Sequence, residues 1–261
     1  MVMARMSGEL FDQVADLYDR ARPAYPEELF DELIQQAGLS ESSRLLEIAP
    51  GTGQATLPLA RRGYRIVAVE HGKALSAIAK DNLDRYPHVK ILSCAFEDVD
   101  LPDNSFDLVY VATAFHWIRP DKQFSKPHLL LNEGSHLAII KSNHIASDAG
   151  NRLFDATQPI YRKYWPTDPG AACLTALDEV AAPTFDEGLF KLAAFKCFPQ
   201  TISYDTMAYC DLLSTESDKL ALTVEKREGF LQEIRELVNE RFSGIAERRY
   251  ANSLLILKRR N

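Results

Sequence analysis

The sequence predicts an α/β protein: a doubly wound, seven-stranded and mostly parallel sheet with an antiparallel edge and a small helical cap. Three observations lead there. Short β-branched runs alternate with helical stretches through the first half of the chain, the mark of βαβ units. A side-chain-poor glycine turn joins the first strand to its helix. Two late apolar runs follow after the alternation has ended, and these complete the sheet as an antiparallel edge pair.

The elements follow in order. Leu10 to Tyr18 reads as a short amphipathic helix. Arg22-Pro23-Ala24-Tyr25-Pro26 ends it, because each proline disfavours helix at the preceding residue. Pro26 opens a helix that runs to about Ala37 and stops at Gly38. Arg44 to Ala49 is the first strand, Gln54 to Arg62 a helix, and Arg65 to Val69 the second strand. Ala74 to Asn82 is helical, Val89 to Ser93 is the third strand and Phe106 to Val111 the fourth. A helix over Asp121 to Leu131 is expected to break at Pro127, and His136 to Ile140 is the fifth strand. Asn151 to Tyr164 and Cys173 to Val180 read as helices, Lys191 to Phe198 as a strand. Asp205 to Leu213 and Glu225 to Phe242 are helical, and Ser253 to Lys258 is the last strand. The expected division is lid helices over 1–40, a ligand-binding core over 41–145, a helical cap over 146–185, and completion of the sheet over 186–261.

The 261 residues carry 30 Lys and Arg against 37 Asp and Glu, a net charge of −7, which disfavours a nucleic acid or an anionic membrane surface as the main partner. Cys94, Cys173, Cys197 and Cys210 form no CxxC pair, and the histidines show no HExxH, so no metal site is expected. Free thiols, no apolar run long enough to span a membrane, and no secretion signal over Met1 to Leu10 point to the cytoplasm.

Chemistry concentrates in Leu45-Leu46-Glu47-Ile48-Ala49-Pro50-Gly51-Thr52-Gly53-Gln54-Ala55-Thr56. A buried strand ends in an acid, and a tight turn lets a ligand approach the backbone. A dinucleotide fold wants GxGxxG, but Thr56 holds the third glycine position. Glu47 would repel a phosphate on the turn and suits a cationic ligand instead. Val69-Glu70 closes the second strand, where a carboxylate can accept both hydroxyls of a ribose. The plain alternatives are a ligand-free βα turn and a solvated acid at a strand tip.

Further segments match one family in order: Phe11 to Asp19 with Arg22-Pro23-Ala24-Tyr25-Pro26, Leu46 to Gly53, Val69-Glu70, Phe96-Glu97-Asp98, Asn104 to Val109, and Ala114-Phe115-His116-Trp117. The chain resembles the class I S-adenosylmethionine-dependent methyltransferases, specifically their small-molecule branch, with a Rossmann-like sheet. The resemblance implies S-adenosylmethionine as cofactor, held by Glu47, Ala49, Gly51, Gly53, Glu70 and His71. It also implies contacts from Ala95, Phe96 and Glu97 to the adenine and from Ala112 and Thr113 beside the methyl group. The chain departs from the family pattern at Ala49, where glycine is usual and where alanine does not easily take φ > 0, and at Ala95, where an acid is usual.

The opening segment is expected to fold over the cofactor, with Tyr18, Arg22 and Tyr25 at its methionine end and Arg22 on the carboxylate. His116 is the one histidine placed just past the fourth strand. It is the expected catalytic residue, as general base or substrate orienter, with packing as the alternative. Tyr161, Tyr164 and Trp165 are expected to form an aromatic wall for the acceptor or to pack within the cap. The resulting reading is methyl transfer to a small-molecule acceptor, a carboxylic acid by shape resemblance, with no nucleic-acid or membrane partner. A nicotinamide-dependent oxidoreductase and a non-catalytic S-adenosylmethionine-binding protein are the rival readings.

Overall fold

The computed structural model describes residues 10–145, 153–166 and 177–261. Seven strands form one sheet: β1 (Arg44–Ile48), β2 (Arg65–Glu70), β3 (Val89–Ser93), β4 (Phe106–Ala112), β5 (Leu131–Ile145), β6 (Phe190–Asp205) and β7 (Ile245–Arg259). Their order is β3-β2-β1-β4-β5-β7-β6. Neighbours among the first five pair in parallel, and β7 runs antiparallel between β5 and β6. The order reverses beside β1, so the carboxyl ends of β1 and β4 open onto the crevice where such sheets bind ligands.

The helices among the described residues are α1 (Ala15–Ala21), α2 (Glu27–Ala37), α3 (Thr56–Arg61), α4 (Lys73–Leu83), α5 (Ser125–Leu130), α6 (Leu153–Tyr164), α7 (Thr206–Ser214), α8 (Ser217–Leu220) and α9 (Val224–Arg241). Both faces of the sheet are covered, as a parallel sheet requires. Leu45, Leu108 and Tyr110 pack on Leu29, Phe30 and Leu33 of α2 on one face. Leu46, Val109 and Val111 alternate with them and pack with Phe96, Ile118 and Leu130 on the other. None of the helices in the described residues is long and apolar enough to cross a membrane.

Three of the expected boundaries need correction. The strands expected over His136–Ile140, Lys191–Phe198 and Ser253–Lys258 run to 15, 16 and 15 residues. Beyond the apolar stretches their sequences turn polar, as in Ser142-Asn143-His144 and Glu247-Arg248-Arg249. These extensions rise past the end of β4 as a wall, and polar side chains on them face a cavity instead of the core. The apolar periodicity that marks a strand is therefore lost while the ladder continues. Pro199 is tolerated inside β6 because β6 is an edge strand. Pro127 does not break α5 but sits in its first turn, where its missing N–H costs nothing. The helix expected over Cys173–Val180 lies partly outside the described residues, and the described end is a single 3-10 turn at Leu177–Glu179.

The cap has its own core. Phe230, Ile234 and Val238 of α9 meet Tyr209, Cys210 and Leu213 of α7 and Leu153 of α6. The roof over the strand ends is thus built from two separate stretches of chain, one on each side of β6.

Candidate active site

One cavity of about 740 Å³ runs from the end of β1 to the cap. At its floor the chain leaves β1 through a turn that is left-handed three times: Ala49 at φ 53°, Gly51 at 62° and Gly53 at 103°. Alanine does adopt the conformation that the sequence argued against. The Ala49 N–H still pairs with Val69 O at 2.9 Å, and the chain turns left at this residue as it leaves the ladder toward α3. Thr113, at the tip of β4, is held at φ 58°, and its hydroxyl pairs with Tyr25 Oη at 2.7 Å. Strained non-glycine residues at two adjacent strand ends, both on the cavity wall, are the pattern expected where a backbone must approach a ligand.

Two buried acids hold this turn. Glu70, 5% exposed, accepts the Gly51 N–H at 2.9 Å on Oε2 and the Gly72 N–H at 2.8 Å on Oε1. Each oxygen keeps a lone pair for a further donor. Glu47, 1% exposed, accepts from Thr56 Oγ1 at 2.6 Å and Tyr110 Oη at 2.7 Å, both on Oε2, while its buried Oε1 has no partner. Burial pushes both carboxyls up to about 7, against the opposing pull of these hydrogen bonds.

Of the residues singled out in the sequence, Tyr18, Arg22, Ala49, Gly51, Glu70, His71, Ala95, Phe96, Glu97, Ala112, Thr113 and His116 are all brought to this cavity. Glu47 and Gly53 are not on its wall. Glu47 lies one layer beneath, and Gly53 is needed for its backbone angle and because a Cβ there would sit 3.3 Å from Leu83. The Tyr18 ring lies directly on Gly51, where a Cβ would meet it at 3.3 Å. Phe96 serves the core and the cavity at once, with Lys126 Nζ 5.2 Å from its ring. Glu97 accepts the Arg119 N–H at 2.9 Å.

Three expectations change. Arg22 does not present a free fork, because its Nε and Nη2 donate to Thr215 Oγ1 at 2.9 Å and Thr215 O at 2.6 Å. It clasps the opening segment to the cap. For Tyr161, Tyr164 and Trp165 the wall gives way to the other expected reading, packing within the cap: their rings pack around Phe230 at 5.1, 5.6 and 5.2 Å. His116 is joined at the cavity by His144, four residues beyond the end of the expected fifth strand. Desolvation and nearby Lys141 hold the His116 imidazole below its ordinary value, so it is neutral at pH 7. The opening segment is also fastened by Asp12, whose carboxylate accepts the N–H groups of Lys73, Ala74 and Leu75 at the start of α4.

The far half of the cavity was not foreseen. Ser142, His144, Gln200, Glu216, Lys219, Arg248, Tyr250 and Asn252 line it, from β5, β6, β7 and α8. Asn252 bridges Ser142 Oγ at 2.5 Å and Gln200 Oε1 at 3.2 Å across three strands. Glu216 pairs with Arg248 at 2.8 Å and Lys219 at 2.7 Å, and these cations hold its carboxyl well below the usual range. The alternation Ser142-x-His144 and Tyr250-x-Asn252 was the available signal.

The residues fit the cationic, phosphate-free cofactor that the sequence suggested. A strand-tip carboxylate with free lone pairs lies beside a glycine turn, and two buried acids there oppose a phosphate. Among the described residues no group of three or more acids, histidines and cysteines could hold a metal.

Comparison with known proteins agrees. Residues 46–139 match the family described as Methyltransferase domain. An uncharacterized methyltransferase of Mycobacterium tuberculosis is 32% identical over 130 residues, covering 50% of this chain and 51% of its own length. The chain spans about half the length of the curated relatives it matches. A putative type II methyltransferase from Anaeromyxobacter dehalogenans superposes with a TM-score of 0.63 at 20% identity, over 90% of this chain and 97% of that one. The [4+2]-cyclase SpnF superposes at 0.57 and 16% identity, over 96% and 94%. These structures establish the fold, which alone does not dictate the reaction. Residues 46–139 thus carry a methyltransferase domain, within a chain whose sheet and helices have the fold of the class I methyltransferase structures. A methyltransferase domain implies S-adenosylmethionine as the cofactor.

The left-handed alanine makes a direct test. A left-handed non-glycine residue costs about 1–2 kcal/mol, and glycine's extra unfolded-state freedom returns about 0.5–1. Ala49→Gly should therefore leave urea stability unchanged or raise it by about 1 kcal/mol, whereas Ala49→Val should lower it. A clear loss in Ala49→Gly would show that position 49 is unstrained.

Proposed function

We propose that this chain transfers a methyl group from S-adenosylmethionine to a small-molecule acceptor that is a carboxylic acid. The observation that carries the reading is one continuous cavity with buried acids at the strand tips and buried cations under the cap. Glu70 would accept the two ribose hydroxyls with its remaining lone pairs. The backbone of Ala49 to Gly51 would take the methionine end under Tyr18, with Glu47 favouring its ammonium from below. Ala95, Phe96, Glu97 and His71 would surround the adenosine, and Ala112 and Thr113 would line the path to the acceptor. Gly53 supports the turn from behind.

When bound, the cofactor supplies a methyl carbon already activated by its sulfonium. The chain's work is then to align an acceptor lone pair with that carbon and keep water out. Tyr18, Phe11 and Trp117 close the near side as one aromatic cluster, with Phe11 5.7 Å from Tyr18 and 6.3 Å from Trp117. His116, neutral and on the wall just past β4, is placed to take the proton from a hydroxyl or amine as it is methylated.

Calorimetry tests the cofactor half. S-adenosylhomocysteine should bind and NAD should not. Glu70→Ala should weaken binding about tenfold to a hundredfold, the worth of charge-assisted bonds to two hydroxyls, with the fold kept. NAD binding in place of the adenosyl ligand, or an unchanged affinity in Glu70→Ala, would defeat this assignment.

Turnover tests the catalytic half. His116→Gln should lower kcat by about 10²–10⁴ without changing S-adenosylhomocysteine affinity. In the wild type the rate should fall as pH drops through a pKa below the ordinary imidazole value of about 6.5, as the base gains a proton. That limb should vanish in the variant. A His116→Gln enzyme matching wild type in rate and pH profile would make His116 a packing residue, and binding without turnover on any acceptor would favour a non-catalytic role.

A further inference from the structure

The far end of the cavity is built around charge. Arg22, Lys219 and Arg248 face Glu216 and Asp218 there, three cations against two carboxylates. Lys219 is 4% exposed and its ammonium is spent on Glu216 at 2.7 Å and Asp218 at 2.8 Å. It also lies 4.7 Å from the Tyr161 ring. Arg22 is engaged with Thr215. Arg248 differs from both. Its Nη1 donates to Glu216 Oε1 at 2.8 Å, but its buried Nε–H has no partner. Its side chain is 12% exposed and lies on the cavity wall, 5.4 Å from the Tyr250 ring. That Nε–H is closed off from the cavity, and the exposed part of the guanidinium is what a ligand group there can meet. The surplus positive charge at this end says what kind of group that is. His144, which burial and the adjoining cations hold down at about 3, stays neutral and adds no charge.

Position in the sheet supplies the second half of the argument. Ala112, at the tip of β4, pairs with Ile140. His144 pairs with Tyr250 four residues further along β5, which at about 3.3 Å per residue is about 13 Å beyond that tip. Arg248 lies two residues further again along β7, opposite Ile202. The transferring methyl belongs near Thr113 and His116. Arg248 is therefore separated from the reacting atoms by most of the cavity.

We infer that the acceptor is an elongated small molecule carrying a carboxylate remote from the atom that is methylated, and that Arg248 reads this carboxylate at the cap end of the cavity. The inference rests on the methyltransferase reading above and adds what that reading leaves open: which end of the acceptor is recognised and by what. Lys219 and Arg22 are positioning residues. Lys219 neutralises Glu216 and so leaves the free donors of Arg248 available, and Arg22 ties the opening segment to the same corner. A planar guanidinium suits a carboxylate because two parallel N–H groups can meet its two oxygens.

The test holds S-adenosylhomocysteine at saturation and titrates chain-length series that differ only in one end group. The series are the ω-hydroxycarboxylates from 4-hydroxybutyrate to 10-hydroxydecanoate, the diols of the same lengths, and the amino alcohols of the same lengths. The carboxylates should bind with an optimum at one length, and the diols and amino alcohols should bind at least about tenfold more weakly. Arg248→Met combined with Glu216→Gln removes the ion pair as a unit, so neither charge is left buried alone. That variant should lose at least about tenfold in carboxylate affinity and keep its S-adenosylhomocysteine affinity. Arg248→Lys, which keeps the charge and the partner but not the fork, should bind the carboxylates more weakly than wild type, and it serves if the double variant does not fold. Equal binding by the three series, preference for the amino alcohols, no binding by any carboxylate, or undiminished affinity in both variants would overturn the proposal. If S-adenosylhomocysteine itself fails to bind, the methyltransferase reading falls; if it binds and the carboxylates do not, the cofactor assignment stands, and the carboxylic-acid acceptor falls with the present inference; if the carboxylates bind and the Arg248 variants bind them equally well, only the present inference falls.

Discussion

Two buried carboxylates fix the end of β1, and most of what this molecule can do follows from their cost. Glu70 grips the turn from the tip of β2 through the amides of Gly51 and Gly72, and Glu47 is clamped from below by Thr56 and Tyr110. Burial raises both carboxyls to about 7. A carboxyl raised in the folded state binds a proton that the unfolded chain has already released. Between about 4.5 and 7 the fold therefore loses stability as pH rises. An empty turn keeps paired acids at a cost, and a cation or a set of hydroxyl donors placed on it removes that cost.

The same cavity carries the opposite sign at its other end. Arg22, Lys219 and Arg248 outnumber Glu216 and Asp218 beneath the cap, and Lys219 is too buried for water to screen it. The wall between the two ends is the polar upper part of β5, β7 and β6, joined by the ladder of Ser142, Asn252 and Gln200. A cationic ligand at the strand tips and an anionic one under the cap would lie end to end along this gradient. The lid is tied to both ends. Tyr18 rests on Gly51 and Arg22 holds Thr215, so the segment over the strand tips and the cap are mechanically joined.

The strand-tip half of the cavity was legible in the sequence because it is local. Leu46 to Gly53 and Val69-Glu70 are short runs in which residue type, turn and strand end coincide, and Phe96 and Thr113 each follow a recognisable strand. Ala49 could be read for position but not for angle, since alanine by itself disfavours the left-handed conformation that the turn takes there. The cap half was not legible because its residues, Arg22 apart, come from positions 142–144, 200, 216–219 and 248–252 and meet only in the fold. The aromatic residues near Tyr161 were conspicuous in the sequence and belong to the cap core, where Tyr161 and Trp165 stack on each other and both meet Phe230 in edge geometry. The strands over Leu131–Ile145 and Ile245–Arg259 outran their apolar signal because each continues into a polar stretch that lines the cavity, through Ser142 and His144 on one and Arg248, Tyr250 and Asn252 on the other.

The central claim is that the buried acids at the strand tips are recharged by the ligand they hold. The most direct measurement is the proton balance of S-adenosylhomocysteine binding, from titration calorimetry in buffers of different ionisation enthalpy across the neutral range. The account predicts net proton release below about pH 7, fading to none about a unit and a half above it, with affinity rising over the same interval. Glu47→Gln, which cannot ionise, should release fewer protons at the same pH. Binding that releases no protons in wild type, with affinity flat through the neutral range, would contradict the account, because the two carboxyls would then be charged already and the turn would need nothing from its ligand.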